Sequence, residues 1–257
     1  MTTDTDRDLI TKLVHHPYVP PAGFGAVPPG VYKASTVTFA NVAALRSRSW
    51  KSREGYTYGL HGTPTTFTLE ERLATLEGGR HCVLAPSGLA AITMVDAALL
   101  RQGDEVLLPD NVYGPSKELA RTLLADWGIS HRLYDPLDAG SLAAMIGPRT
   151  RLVWLEAPGS VTMEFPDLGG LVAAARDRGV TTALDNTWGA GVAFRAFDFG
   201  VDIVMHALTK YPSGGADVLM GSVVTRDEAL HHRILQAHGR LGLGVGANDV
   251  EAVLRSL

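Results

Sequence analysis

Val201-Asp202-Ile203-Val204-Met205-His206-Ala207-Leu208-Thr209-Lys210-Tyr211-Pro212-Ser213-Gly214-Gly215 is the stretch on which the reading of this chain turns. Its first five residues form an apolar, β-branched run of strand length, and Pro212 to Gly215 form a turn that ends any regular element. Lys210 lies between them, where an α/β enzyme would place a reactive amine. Twenty-five residues upstream a second apolar run, Val180 to Leu184, ends on Asp185. An acid and an amine therefore converge at the ends of two buried strands, a pairing that points to pyridoxal phosphate (PLP) chemistry.

The same pattern repeats outward from this stretch. Short apolar runs near 81–85, 105–109, 129–134, 151–156, 180–184, 201–205 and 218–224 alternate with helical patterns near 88–100, 115–127, 138–146 and 167–178. Strands alternating with helices predict an α/β fold with a mostly parallel sheet covered on both faces. Ligands of such sheets bind beyond the carboxyl ends of the strands. Ser87-Gly88, Asn111-Val112-Tyr113 and Asp185 all fall at such ends. Thr68-Leu69-Glu70-Glu71 reads as a capping box that starts a helix over 69–77, which Gly78-Gly79 stops.

Residues 1–60 read as an N-terminal arm without a core of its own, because Pro17, Pro20, Pro21, Pro28 and Pro29 interrupt regularity. Residues 61–257 read as one large domain. The final segment, Asn248 to Leu257, reads as a helix that stops without a closing Gly or Pro, so the chain reads as truncated. No internal repeat or low-complexity segment is present.

Composition narrows the class. With 257 residues and 46% hydrophobic content the chain can bury a substantial core. A net charge of −4 and no dense Lys/Arg run weigh against nucleic acid or anionic membrane as partner. Met1 to Asp8 is polar and acidic, unlike a signal peptide, and no apolar run reaches membrane-spanning length, so a cytoplasmic protein is expected. Cys82, the one cysteine, sits in an apolar run and reads as a buried thiol. The nine histidines include the adjacent pairs His15-His16 and His231-His232 and show no metal-binding spacing, so no metal is expected.

Four residue groups carry chemistry. Ser87-Gly88-Leu89 opens a helix whose first amides and positive dipole end suit a phosphate, although Ser87 serves equally as an ordinary N-cap. Asp185 at a buried strand end needs a cation or hydrogen-bonding partner, which a protonated pyridine would supply; the alternative is an Asx turn within Asp185-Asn186-Thr187. Lys210 can form a Schiff base if burial or a nearby cation lowers its pKa, with Thr209 beside it as a phosphate ligand; most lysines, by contrast, are solvated surface charges. Tyr113 can stack on a planar cofactor and exchange a proton, or can simply pack.

Taken in order, Tyr58-Gly59-Leu60-His61-Gly62-Thr63-Pro64-Thr65, Leu76-Glu77-Gly78-Gly79, Ser87-Gly88, Gly103-Asp104, Asp110-Asn111-Val112-Tyr113, Glu156-Ala157-Pro158-Gly159-Ser160, Asp185-Asn186-Thr187-Trp188 and Thr209-Lys210-Tyr211 resemble the Cys/Met metabolism PLP-dependent enzymes of fold type I. The resemblance runs from about residue 30 onward. Within that family Asp185-Asn186-Thr187-Trp188-Gly189-Ala190-Gly191 and Pro158-Gly159-Ser160-Val161-Thr162-Met163-Glu164 look most like the cystathionine β-lyase branch, with Trp188 as the main discriminator.

The resemblance implies that Lys210 holds the cofactor as a Schiff base, that Asp185 pairs with the pyridine nitrogen and that Tyr113 stacks on the ring. It also implies that the Gly88 and Leu89 amides and Thr209 hold the phosphate, and that Tyr58 reaches the cofactor of a neighbouring subunit in a dimer of active dimers. Lys210, Tyr113 and Tyr58 are thereby assigned to catalysis. The implied reaction is β-elimination of L-cystathionine to homocysteine, pyruvate and ammonia. Alternatives are a cystathionine or methionine γ-lyase, a homoserine-ester sulfhydrylase, or a truncated fragment that binds cofactor without catalysis. Two departures stand out: Leu60 occupies a position where many members have arginine, and the family's smaller C-terminal domain has no counterpart.

Overall fold

The computed structural model describes residues 9–14, 19–51 and 55–257. Pro17, His15-His16 and the acidic start Met1 to Asp8 lie outside the described residues. Two short helices, α1 (Leu9–Val14) and α2 (Val42–Ser47), precede a 3-10 turn at Gly59–His61. Then comes α3, which spans Pro64–Glu77 and begins five residues before the expected start.

The reason is local. Thr63 is the true cap, its hydroxyl accepting from the Thr66 amide at 3.3 Å, and Pro64 follows at the first helical position, where its fixed φ and missing N–H cost nothing. The Thr68 hydroxyl instead donates back to Pro64 O at 2.8 Å, inside the helix. Gly78 ends the helix at φ 75°, a left-handed conformation that favours glycine.

From there strand and helix alternate: β1 (His81–Ala85), α4 (Gly88–Leu99), β2 (Glu105–Pro109), α5 (Gly114–Leu119) continued by a π turn at Ala120–Leu124, β3 (Ser130–Tyr134), α6 (Ala139–Met145), β4 (Thr150–Glu156), α7 (Leu168–Arg176), β5 (Thr181–Asp185), β6 (Ile203–His206) and β7 (Gly221–Thr225). Two helices close the chain, α8 (Glu228–Leu241) and α9 (Ala247–Ser256). The strands form one sheet in the order β1-β7-β6-β5-β4-β2-β3. All neighbours pair in parallel except β7, which is antiparallel to both β1 and β6. The expected mostly parallel sheet is thus present, with a single reversed strand inside it.

Helices cover both faces. One core joins α3, α6, α7 and α9 to the sheet through Leu69, Leu73, Leu142, Leu171 and Val253; the other joins α4 and α8 through Met94, Val95 and Ile234. Cys82 is fully buried in β1. Helix α8 was not visible in the hydrophobic pattern, because His231-His232, Arg233 and Gly239 dilute it. Its ends do carry signals: Asp227 Oδ1 accepts from Leu230 N at 2.8 Å, and Gly242 stops it at φ 66°. At the amino ends of the strands Arg132 forks onto Glu105, with N–O distances of 2.7 and 2.8 Å, and Thr150 adds a third bond to the same carboxylate. Among the described residues no helix is long and apolar enough to cross a membrane, and no group of three His, Cys, Asp or Glu side chains could hold a metal ion.

One buried acid bears on stability. Asp96 in α4 is 2% exposed and accepts from Trp154 Nε1 at 2.9 Å; burial raises its pKa to about 7. Because the folded pKa lies above the unfolded value, this group favours folding below about pH 4, and that contribution is lost as pH rises through about 7. Asp96→Asn keeps an acceptor for Trp154 and removes the titration. The melting temperature of Asp96→Asn relative to wild type should therefore rise between pH 4 and pH 8; a difference independent of pH would contradict a neutral buried Asp96.

Candidate active site

The carboxyl ends of β4, β5 and β6, the start of α4 and the loop after β6 surround a pocket of about 380 Å³. Its walls include Gly88, Leu89, Tyr113, Asp185, Thr209 and Lys210. Six of the seven site residues read from the sequence thus meet in one place, at the end of the sheet where they were expected. That volume lies within the range of small-molecule sites.

The floor is acidic. Glu156 and Asp185 end neighbouring parallel strands and are register partners, so their side chains leave the same face side by side. Both are buried, at 3% and 7% exposure. Burial pushes the Glu156 carboxyl up to about 8, with Asp185 beside it adding to the shift, while the Tyr113 amide donates to Glu156 Oε2 at 2.7 Å. Burial also raises Asp185, opposed by two bonds from Thr187, whose amide and hydroxyl both donate to Oδ1. Thr187 Oγ1 in turn accepts from Ala207 N at 2.9 Å, tying the end of β5 to the loop that carries Lys210. Like Asp185, Glu156 is an ionisable group closing a buried strand, the sequence signal that marks such a position.

At the start of α4 the Ser87 hydroxyl accepts from Ala90 N at 3.1 Å, so Ser87 is the N-cap. The amides of Gly88 and Leu89 belong to the first turn, where no intrahelical acceptor is available, and they open on the pocket. A cap and an anion cradle coexist here. Gly88 also meets a steric limit: a Cβ on it would lie 2.7 Å from Ala207 Cβ and 3.2 Å from Met205 Cε.

Lys210 and Thr209 follow β6 in a loop held to β7. The Thr209 hydroxyl donates to Met220 O at 3.2 Å and accepts from Met220 N at 3.1 Å, so it would have to turn from the carbonyl to donate to a phosphate. Lys210 is exposed on the pocket side, its amide donating to Ala207 O. Trp188 shares the pocket wall and meets Tyr211 edge-on, ring centres 6.3 Å apart. Tyr58 is not brought here within one chain. It precedes the Gly59–His61 turn, 47% exposed, with its ring edge-on to His61. Leu60 lines a separate cavity with Trp50 and His238.

The profile of the Cys/Met metabolism PLP-dependent enzymes matches residues 10–257. The chain belongs to that family. Among its relatives, cystathionine β-lyase of Bordetella avium is 38% identical over 99% of this chain and 66% of its own length, and cystathionine β-lyase of Bacillus subtilis is 36% identical over 97% and 62%. L-Methionine γ-lyase of Pseudomonas putida is 36% identical over 87% and 56%. The solved structure of cystathionine γ-synthase from Xanthomonas oryzae, in complex with cystathionine, superposes with a TM-score of 0.89 at 32% identity, covering 98% of this chain and 63% of that one. The chain spans less than two thirds of the length of these relatives.

PLP is the cofactor of this family, and the pocket fits it. The Gly88 and Leu89 amides could receive the phosphate at the positive end of α4. Asp185, whose hydrogen bonds among the described residues all come from Thr187, has Oδ2 left for a protonated ring nitrogen. Such a cation would relieve the burial that raises this carboxyl. Tyr113, 41% exposed, offers a ring face. Gly88→Ala should weaken PLP binding about tenfold and destabilise the fold by about 1–3 kcal/mol, because Ala207 sits on backbone that cannot swing away. Absorbance titration with PLP and a urea melt test this; unchanged values in both would contradict the close packing of α4 on the Lys210 loop.

Proposed function

We propose that this chain carries the cofactor-binding part of a carbon–sulfur β-lyase that cleaves L-cystathionine to homocysteine, pyruvate and ammonia. The observation behind this reading is the pocket that gathers Lys210, Asp185, Tyr113 and the free amides of α4. The β-lyase direction is supported by relatives of that name and by Trp188 in the pocket wall. On this reading residues 61–257 form the PLP-binding domain, and residues 1–60 form an arm at a subunit interface. Tyr58, remote from the pocket of its own chain, then serves the site of a second copy.

When bound, PLP supplies an electrophilic carbon for the substrate amine and an electron sink for the charge left at Cα. The protein's part is positioning and proton movement. Asp185 holds the proton on the ring nitrogen, and its burial beside Glu156 makes that ion pair stronger than it would be in water. Lys210 Nζ would hold the cofactor's aldehyde and, when free, could take the proton from the substrate Cα and deliver it to the sulfur as the Cβ–S bond breaks. Tyr113 would offer its ring to the cofactor and its hydroxyl as a proton acceptor for the substrate amine. The helix dipole and amides at Gly88 and Leu89 fix the phosphate, so the reacting carbon stays within reach of Lys210.

The keto acid identifies the reaction. Incubation with PLP and L-cystathionine should yield pyruvate and homocysteine; 2-oxobutyrate and cysteine would instead assign γ-elimination. Lys210→Ala should lose the visible absorption of bound PLP and at least 1,000-fold in turnover, in line with a nucleophile and proton carrier in one residue. Normal turnover in that variant would sink the assignment, and PLP binding without any keto acid from the wild-type chain would leave a cofactor-binding fragment.

A further inference from the structure

Behind the pocket, on the opposite face of the sheet from Asp185, lies a second buried polar group that the chemistry above does not use. Glu77, the last residue of α3, is fully buried, and His206, the last residue of β6, is 1% exposed. Glu77 Oε1 stands 3.1 Å from His206 Nδ1, within ion-pair distance of a protonated imidazole. Glu77 Oε2 accepts from Asn186 Nδ2 at 2.9 Å. Asn186 and His206 are sequence neighbours of the register partners Asp185 and Met205, and Asn186 N also donates to Met205 O at 2.9 Å. Side chains alternate along strands, so the pair approaches Asp185 from behind.

A carboxylate at the carboxyl end of a helix and out of water is doubly disfavoured, by the dipole and by desolvation. Its retention calls for a cation, and His206 is the group in contact with it. Burying an ion pair of this kind is seldom a net gain for stability, so a role other than stability is the better explanation. The electrostatics at Asp185 supply one. Of the two, His206 favours the charged form of Asp185 and Glu77 opposes it. Gly191, at φ 68°, closes the cluster from above: a Cβ there would lie 3.0 Å from Leu76 O and 3.2 Å from the Glu77 carboxyl carbon.

We propose that Glu77, His206 and Asn186 are positioning residues for the cofactor. The Glu77–His206 pair presents its positive end to the back of Asp185, and Asn186 locks the strand end, so that Asp185 meets the cofactor's ring nitrogen as an anion. This rests on the reading that places the ring nitrogen against Asp185.

The test is a double-variant cycle read at the cofactor: the dissociation constant of PLP and the position of its visible band, both measured on folded protein well below its melting temperature. His206→Gln leaves Glu77 uncompensated behind Asp185 and should weaken PLP binding about tenfold, the equivalent of about one pKa unit, with a shifted band. Glu77→Gln/His206→Gln removes both charges and should bind more tightly than His206→Gln but less tightly than wild type. A pair that serves stability alone would lower the melting temperature and leave affinity and band unchanged, which would overturn the proposal. If His206→Gln does not fold, the double variant decides, since wild-type affinity and band there would overturn it as well. Asp185→Asn separates the two levels. If it weakens binding while the His206 and Glu77 variants do not, this inference alone fails; if Asp185→Asn binds PLP normally, the placement of the ring nitrogen fails with it.

Discussion

Two carboxylates at the ends of adjacent strands, Glu156 and Asp185, impose the constraint around which this molecule is arranged. Parallel pairing in register brings them side by side, and the helices on both faces keep water away from them. Neither can be charged at low cost while the other is. The surrounding structure consists of answers to that problem: Thr187 and the Tyr113 amide donate into the site, His206 stands behind it, and the pocket opens where a protonated ring nitrogen could pair with Asp185. The fork of Arg132 onto Glu105 at the opposite end of the sheet shows the contrasting solution, where an acid is neutralised by the protein itself.

Much of this was legible in the residues. The strands fall within one to three residues of their apolar runs, because burial on both faces leaves most of them near-continuous hydrophobic segments. Asp185 stands out in the sequence because an ionisable group closing a buried segment is costly without a partner, and Tyr113 and Lys210 because they follow such segments into loops at the same end of the sheet. At Gly88 the structure adds a steric requirement with no local signal: its missing Cβ makes room for Ala207, a contact between residues more than a hundred positions apart.

What escaped the sequence has physical reasons. The start of α3 was misplaced because Thr63-Pro64 and Thr68 both offer cap chemistry, and only packing selects between them. Helix α8 hides because its buried face is built from two histidines as well as Ile234 and Ala237. The Glu77–His206 contact spans the whole domain and has no local signature. Tyr58 lies apart from Lys210 within the chain, because it precedes the Gly59–His61 turn and not a strand end of the sheet.

The reversed direction of β7 carries one more consequence. A parallel neighbour of β6 would require a long crossover over a sheet face, whereas an antiparallel one is reached by a loop at the same end. Lys210 travels on that loop, between Ala207 and Met220, anchored to the sheet at both margins. Within that loop Pro212, Ser213 and Val218 are buried, whereas Tyr211 and Leu219 are exposed and can change character without disturbing the core. The fold keeps the amine in place while leaving the rim beside it, Tyr211 and Leu219 included, open to evolutionary change in what the pocket admits.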